Sequence, residues 1–149
     1  MKITGAAPKI AIPTIIYMFI TIYIDKLNYP LFSITQDNYS TLVVIGIIMI
    51  ITGVSMVIAV QGKLRKSFKS GFLMKDGLYK IFRNPMYDAY LIFVFPGLSL
   101  LLNSWLVMTT FIVNFILLQI FIREEYRYLE NKFGSEYKSY LNHVWVKFL

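Results

Sequence analysis

The chain contains no cysteine. That excludes disulfides, thiolate nucleophiles and cysteine-ligated metals. It has a single histidine, His143, so a multi-histidine metal cluster is excluded too. Charge is scarce: Asp, Glu, Lys and Arg make up 15% of residues, against about a quarter in ordinary soluble domains. Acidic residues are the scarcer kind, 8 against 15 basic ones, for a net charge of +7. Internal repeats and low-complexity linkers are also missing. In their place, 57% of the 149 residues are hydrophobic and the mean hydropathy is +0.60. Such a composition indicates an integral membrane protein, read here as a single membrane domain over residues 1–149.

The apolar runs give an expected all-α fold with about four transmembrane helices and a C-terminal amphipathic helix. Residues 1–9 are short and basic. Residues 10–24 are apolar, with Pro13 near the start, and could pass for a signal peptide. No small-residue cleavage site follows, so a retained helix is expected. The run is short for a span of roughly 20 residues; residues 6–8 or Leu27 would complete it. A polar loop is expected over residues 25–40. Residues 42–60 form an uncharged second span, with Gly46 and Gly53 on one face where a neighbouring helix can approach closely. A basic loop is expected over residues 61–75. Residues 86–102 form a third span with Asp88 in its first turn. Pro96 in its middle is expected to kink it. Asn103 and Ser104 leave only a minimal turn, so a fourth span over residues 105–122 must return antiparallel, with Trp105 at the interface.

Cations are distributed unevenly. Lys26 lies in the first connection; the other 14 lie in the N-terminal segment, the central loop and the tail. By the positive-inside rule both termini and the central loop are cytoplasmic. Topology and attraction to anionic lipid account for Lys63, Lys66 and Lys69, to which no chemistry is assigned. The net charge is thus a matter of membrane orientation, and nucleic acid is not an expected partner.

Two polar segments stand out. The first, Gly77 to Tyr90, reads GLYKIFRNPMYDAY. Asn84 precedes proline and is pushed out of the α region, so a helix can start at Pro85 with its free N–H groups facing an anion. A plainer reading makes Lys80, Arg83 and the tyrosines a juxtamembrane anchor at the lipid headgroups. The second segment is the tail from Arg123. Glu124 and Glu125 are adjacent there, about 100° apart on a helix, so one of them faces inward. Arg127 and Tyr128 share the face of Glu124. Gly134 is expected to end that helix and Ser135 to cap the next. Tyr137, Tyr140, Leu141 and Val144 then follow the spacing of an amphipathic helix. The plainer reading lays this helix on the membrane surface and pairs both glutamates with Arg123 and Arg127.

Taken together, the two segments resemble the isoprenylcysteine carboxyl methyltransferases and the related phospholipid methyltransferases. That family pairs G-x-Y-x-x-x-R-H-P-x-Y with E-E-x-x-L-x-x-x-F-G-x-x-Y-x-x-Y across two spans. Gly77, Tyr79, Arg83, Pro85 and Tyr87 match the first pattern; Glu124, Glu125, Leu129, Phe133, Gly134, Tyr137 and Tyr140 match the second. The resemblance covers residues 77–148, the expected cofactor-binding core. Asn84 departs from the family histidine, Ala89 from a common glycine, and Lys147 from an arginine that is usually followed by proline.

The resemblance implies S-adenosylmethionine as cofactor and a membrane lipid or prenylated small molecule as acceptor. Carboxyl O-methylation is the first reading and phospholipid N-methylation the alternative. A non-catalytic scaffold retaining the fold is the reading outside enzymes, favoured by Asn84 and Lys147. A distant likeness to the hairpin of NADPH-dependent sterol reductases carries less weight, because those chains are much longer. Cofactor-binding candidates are Gly77, Tyr79, Arg83, Asn84, Pro85, Tyr87, Glu124, Glu125 and Tyr137; Arg83, Asn84 and Tyr87 are also the catalytic candidates. A carboxylate can accept from the ribose or amino group, and N–H donors suit the amino-acid carboxylate. A lipid amine would need a base, for which His143 or a glutamate is available. Cysteines placed at Lys69 and Ser104 are expected to react with impermeant thiol reagents from opposite sides of the membrane. Labelling from one side would remove the four-span arrangement.

Overall fold

The computed structural model describes residues 6–147, with the backbone alone described over residues 64–70. Most of the basic N-terminal segment, Phe148, and the side chains of Arg65, Lys66 and Lys69 therefore lie outside the described residues.

Helix α1, Ala7–Leu27, has Pro8 in its first turn and Pro13 inside it. Its 21 residues measure about 31 Å, enough to cross a hydrocarbon core of roughly 30 Å. Helix α2, Tyr39–Ser70, is longer than its apolar run. Residues 61–70, expected as loop, continue the helix, because Gln, Lys and Arg are good helix formers and no proline interrupts them. Gly71, at φ +73°, follows its end. Helix α3, Leu78–Ile81, is a single turn. The third apolar segment, Pro85–Leu101, comprises α4 (Pro85–Ala89), a π turn (Tyr90–Val94) and α5 (Phe95–Leu101). At the π turn the Phe95 N–H bonds to the Tyr90 carbonyl five residues back, just before Pro96. Helix α6 is Trp105–Phe133 and α7 is Ser135–His143. Among the described residues three helices, α1, α2 and α6, are long and apolar enough to span a membrane; Pro85–Leu101 is a shorter apolar fourth.

Two different contacts hold these helices together. On one side α2 meets Pro85–Leu101 through glycine. A Cβ at Gly46 would lie 2.7 Å from the Gly97 carbonyl oxygen, and one at Gly97 would lie 2.9 Å from that of Gly46. Gly53 likewise faces Phe93 and Val94. On the other side α1 and α6 are joined by polar pairs. Lys9 meets Glu124 at 2.7 Å, and the Asn114 amide donates to Thr14 at 3.0 Å. Tyr17 and Thr109 hydroxyls are 2.9 Å apart, and Ser104 donates to Asp25 at 2.5 Å. The order of these pairs makes α1 and α6 antiparallel. Hydrogen bonds of this kind between membrane helices contribute about 0.6–2 kcal/mol each.

At the far end Asn103 adopts φ +52° and the Ser104 hydroxyl accepts from the Val107 N–H, capping α6. The connection after α1 folds over this turn. Ile34 N–H bonds to the Asn103 carbonyl at 3.2 Å, and Trp105 N–H to the Phe32 carbonyl at 3.0 Å. Ser104 is therefore fully buried, and the exposed Asp37 at the same end is the better cysteine position for labelling.

Helix α6, with 29 residues, is about 43 Å long and exceeds the hydrocarbon core. Its uncharged stretch, residues 105–122, is about 27 Å long, and the charged residues 123–133 follow it. Gly134, at φ +51°, turns the chain and itself occupies the cap position of α7, where Ser135 was expected. The apolar face of α7 does not lie on the membrane surface. Tyr137, Tyr140 and Val144 are buried against Leu73, Tyr79, Leu129 and Phe133.

The glycine contact has a direct test. Gly46→Ala and Gly97→Ala press a methyl group into backbone and should lose about 1–3 kcal/mol in denaturant unfolding in detergent. Gly62, also within α2, has nothing within 4 Å of its added Cβ. Gly62→Ala should gain about 0.5–1 kcal/mol from helix propensity.

Candidate active site

The turn Arg83-Asn84-Pro85 is built by its local sequence and pinned from outside. Asn84 lies at φ −130°, ψ 65°, outside the α region, and Pro85 opens α4. The C-terminal segment runs parallel to residues 81–83. Val146 N–H bonds to the Ile81 carbonyl at 2.8 Å, and Arg83 N–H to the Val146 carbonyl at 3.1 Å. Sequence reasoning missed this support from Val146.

Two tyrosines hold the Arg83 side chain. Its guanidinium carbon sits 3.3 Å from the centroid of the Tyr126 ring, and Nη2 donates to the Tyr137 hydroxyl at 3.0 Å. Its Nε is buried with no partner. Asn84 donates from Nδ2 to the Tyr126 hydroxyl. Tyr126 thus receives the arginine on its face and the asparagine on its hydroxyl. Sequence reasoning missed it; the available signal was an aromatic next to the glutamate pair on a helix projecting from the membrane.

The two glutamates separate as their 100° offset requires. Glu124 points out, half exposed, and accepts from Lys9 Nζ at 3.0 and 2.7 Å rather than pairing with Arg127. Glu125 points in and accepts from the Tyr87 hydroxyl at 3.3 Å. Burial raises the pKa of Glu125 above the usual 4.5, and the Tyr87 hydrogen bond partly opposes that rise. Burial also raises the Tyr79, Tyr137 and Tyr140 phenols, and pushes Tyr126 up to about 12 against the pull of Arg83. All four tyrosines are neutral at neutral pH, so they offer ring faces and hydroxyls.

Most of these groups, though not Tyr126, line one open cleft of about 720 Å³, its solvent-filled mouth included. Tyr79, Arg83, Asn84, Pro85, Tyr87, Glu125 and Tyr137 line it, together with Tyr140 and an apolar wall of Leu73, Met74 and Phe133. Gly77 and Glu124 do not line it. Gly77 caps α3 at φ +67° instead. His143 is exposed, with Nδ1 at 2.8 Å from the Ser139 carbonyl oxygen, and does not line the cleft either.

Fold and cleft together define an all-helical integral membrane protein with a cleft at one end of its helices. A family model described as phospholipid methyltransferase matches residues 39–136, two thirds of the chain, from α2 into α7. The chain belongs to that family. Comparison with curated proteins and with solved structures found no match.

The Glu125 environment gives a pH prediction. With its pKa raised on folding, Glu125 stabilises the fold below about pH 4.5. That stability is lost as pH rises through the folded-state value. Glu125→Gln removes this titration. Unfolding profiles in detergent should therefore show wild type losing stability relative to Glu125→Gln as pH rises from 4.5 toward neutral. Parallel profiles would contradict the burial of this carboxylate.

Proposed function

We propose that this chain is an enzyme that transfers a methyl group from S-adenosylmethionine to a lipidic acceptor reaching the cleft from the bilayer. The observation that carries the reading is the pairing, within one cleft, of a half-buried carboxylate with a guanidinium that has an unpartnered donor. Membership of the phospholipid methyltransferase family supports it. The cation asymmetry favours a cytoplasmic cleft and cytoplasmic termini.

The residues present fit the cofactor. When bound, it supplies an electrophilic methyl on a sulfonium. Arg83 and Asn84 offer donors for its carboxylate. Glu125 accepts from the ribose hydroxyls or the amino group. Tyrosine faces favour the sulfonium by about 0.5–2 kcal/mol each. Tyr87 orients Glu125 through its hydroxyl. Methyl transfer is an in-line displacement, so the cleft contributes chiefly proximity and orientation.

Carboxyl O-methylation is the first reading for the acceptor, a prenylated or other lipidic acid. Such an acid is ionised at neutral pH and needs no base, and His143 does not line the cleft. Phospholipid N-methylation is the second reading, favoured by Glu125, a half-buried carboxylate able to take an ammonium proton.

Titration calorimetry with S-adenosylhomocysteine tests the site. Glu125→Gln and Arg83→Ala should each lose a charge-assisted hydrogen bond of about 1.5–3 kcal/mol, or roughly ten- to a hundredfold in affinity. Glu124→Gln should bind as wild type does. No binding by wild type would leave the scaffold reading; unchanged affinity in all three variants would overturn the site. Transfer of labelled methyl into a total membrane lipid extract then separates the acceptors, since alkali releases a methyl ester as methanol and leaves an N-methyl group in place.

A further inference from the structure

A large aromatic stands outside every spanning helix. Trp145 follows α7 and is 87% exposed. Its orientation is fixed by its neighbours. Val144 is extended, at φ −75°, ψ 134°, and buried in the α7 cluster. Side chains alternate along an extended segment, so Trp145 points away from that cluster. Turning it inward would expel Val144.

The backbone also fixes where Trp145 stands relative to the bilayer. Val146 is hydrogen-bonded to Ile81 and Arg83, which sets Trp145 alongside the end of α3. Ile81 lies four residues before Pro85, where the third apolar helix begins. Four residues reach at most about 14 Å. Ile81 is itself 46% exposed, and Lys80 and Lys147 are exposed on either side. An exposed indole and an isoleucine flanked by lysines, this close to the start of an apolar helix, match the chemistry of the headgroup layer. The ring enters the apolar boundary while the ammonium groups meet lipid phosphates.

We propose that Trp145 inserts into the lipid headgroup layer and anchors the C-terminal segment there. Because that segment is bonded to Arg83, the anchor stations the cleft at headgroup depth. The proposal rests on the fold and not on the proposed reaction.

The chain has two tryptophans, so Trp105→Phe leaves Trp145 as sole reporter. The full chain carrying that change is reconstituted into phosphatidylcholine vesicles containing phosphatidylglycerol. Acyl chains brominated near the headgroup or near the methyl end serve as depth-resolved quenchers. Blue-shifted emission, protection from aqueous iodide and stronger quenching by the shallow bromines are expected. Water-like emission open to iodide would overturn the proposal. So would strongest quenching by the deep bromines. Blue-shifted emission that neither bromine position quenches would place the ring in a protein contact and would overturn it equally.

Discussion

Arg83 is the point at which three parts of the chain are tied together. It lies in the turn before α4, its guanidinium rests on Tyr126 of α6, and one nitrogen bonds to Tyr137 of α7. A guanidinium is weakly hydrated and planar, so it can stack and donate at once, which lysine cannot do. The aromatic contact fixes the azimuth of α6 relative to the turn. That azimuth decides that Glu125 faces the cleft and Glu124 faces Lys9. The fold-back of α7, its apolar face covered by Leu73, Tyr79, Leu129 and Phe133, completes the wall. Cleft geometry therefore depends on a cation held between two rings.

That arrangement needs rigid spans beneath it, and lipid limits how rigidity can be obtained. Apolar side chains gain little by leaving hydrocarbon for one another, so helices must associate by close packing or by hydrogen bonds. This chain uses one device on each side. Gly46 and Gly97 bring backbones together, while four polar pairs run along α1 and α6. The last of those pairs, Lys9 with Glu124, reaches the residue next to Glu125. The N-terminal helix thus extends its support to the edge of the site although the family match begins only at residue 39.

Much of this was legible in the sequence, for physical reasons that also explain the rest. Uncharged runs mark spans because lipid tolerates little else, and Asn-Pro marks a helix start through steric exclusion alone. Gly46 and Gly53 announced a close contact by their shared face; the partner, Gly97, lies on another helix. Local spacing favoured Glu125, because Arg127 and Tyr128 share the face of Glu124, but the partner Glu124 takes, Lys9, lies 115 residues away. Tyr126 was missed for a related reason: its place beside the glutamates was in the sequence, but its role depends on α6 being rotated against Arg83. The basic residues 61–70 were misread as loop because charge density was allowed to outweigh helix propensity. Ser135 lost the cap to Gly134 because the chain reverses at a positive φ, which glycine takes at little steric cost.

The position where this chain departs from the family pattern can be interpreted through Tyr126. Histidine at position 84 would carry a group that titrates near neutrality, and its donor would vanish or double with pH. Asparagine offers a fixed amide donor, and here that donor is committed to the Tyr126 hydroxyl. With its pKa at about 12, Tyr126 stays protonated across the physiological range. The Arg83-Asn84-Tyr126 group is therefore constant in charge, and Glu125, whose pKa burial raises, lines the same cleft. The departure removes a base from the turn without removing its hydrogen-bonding function.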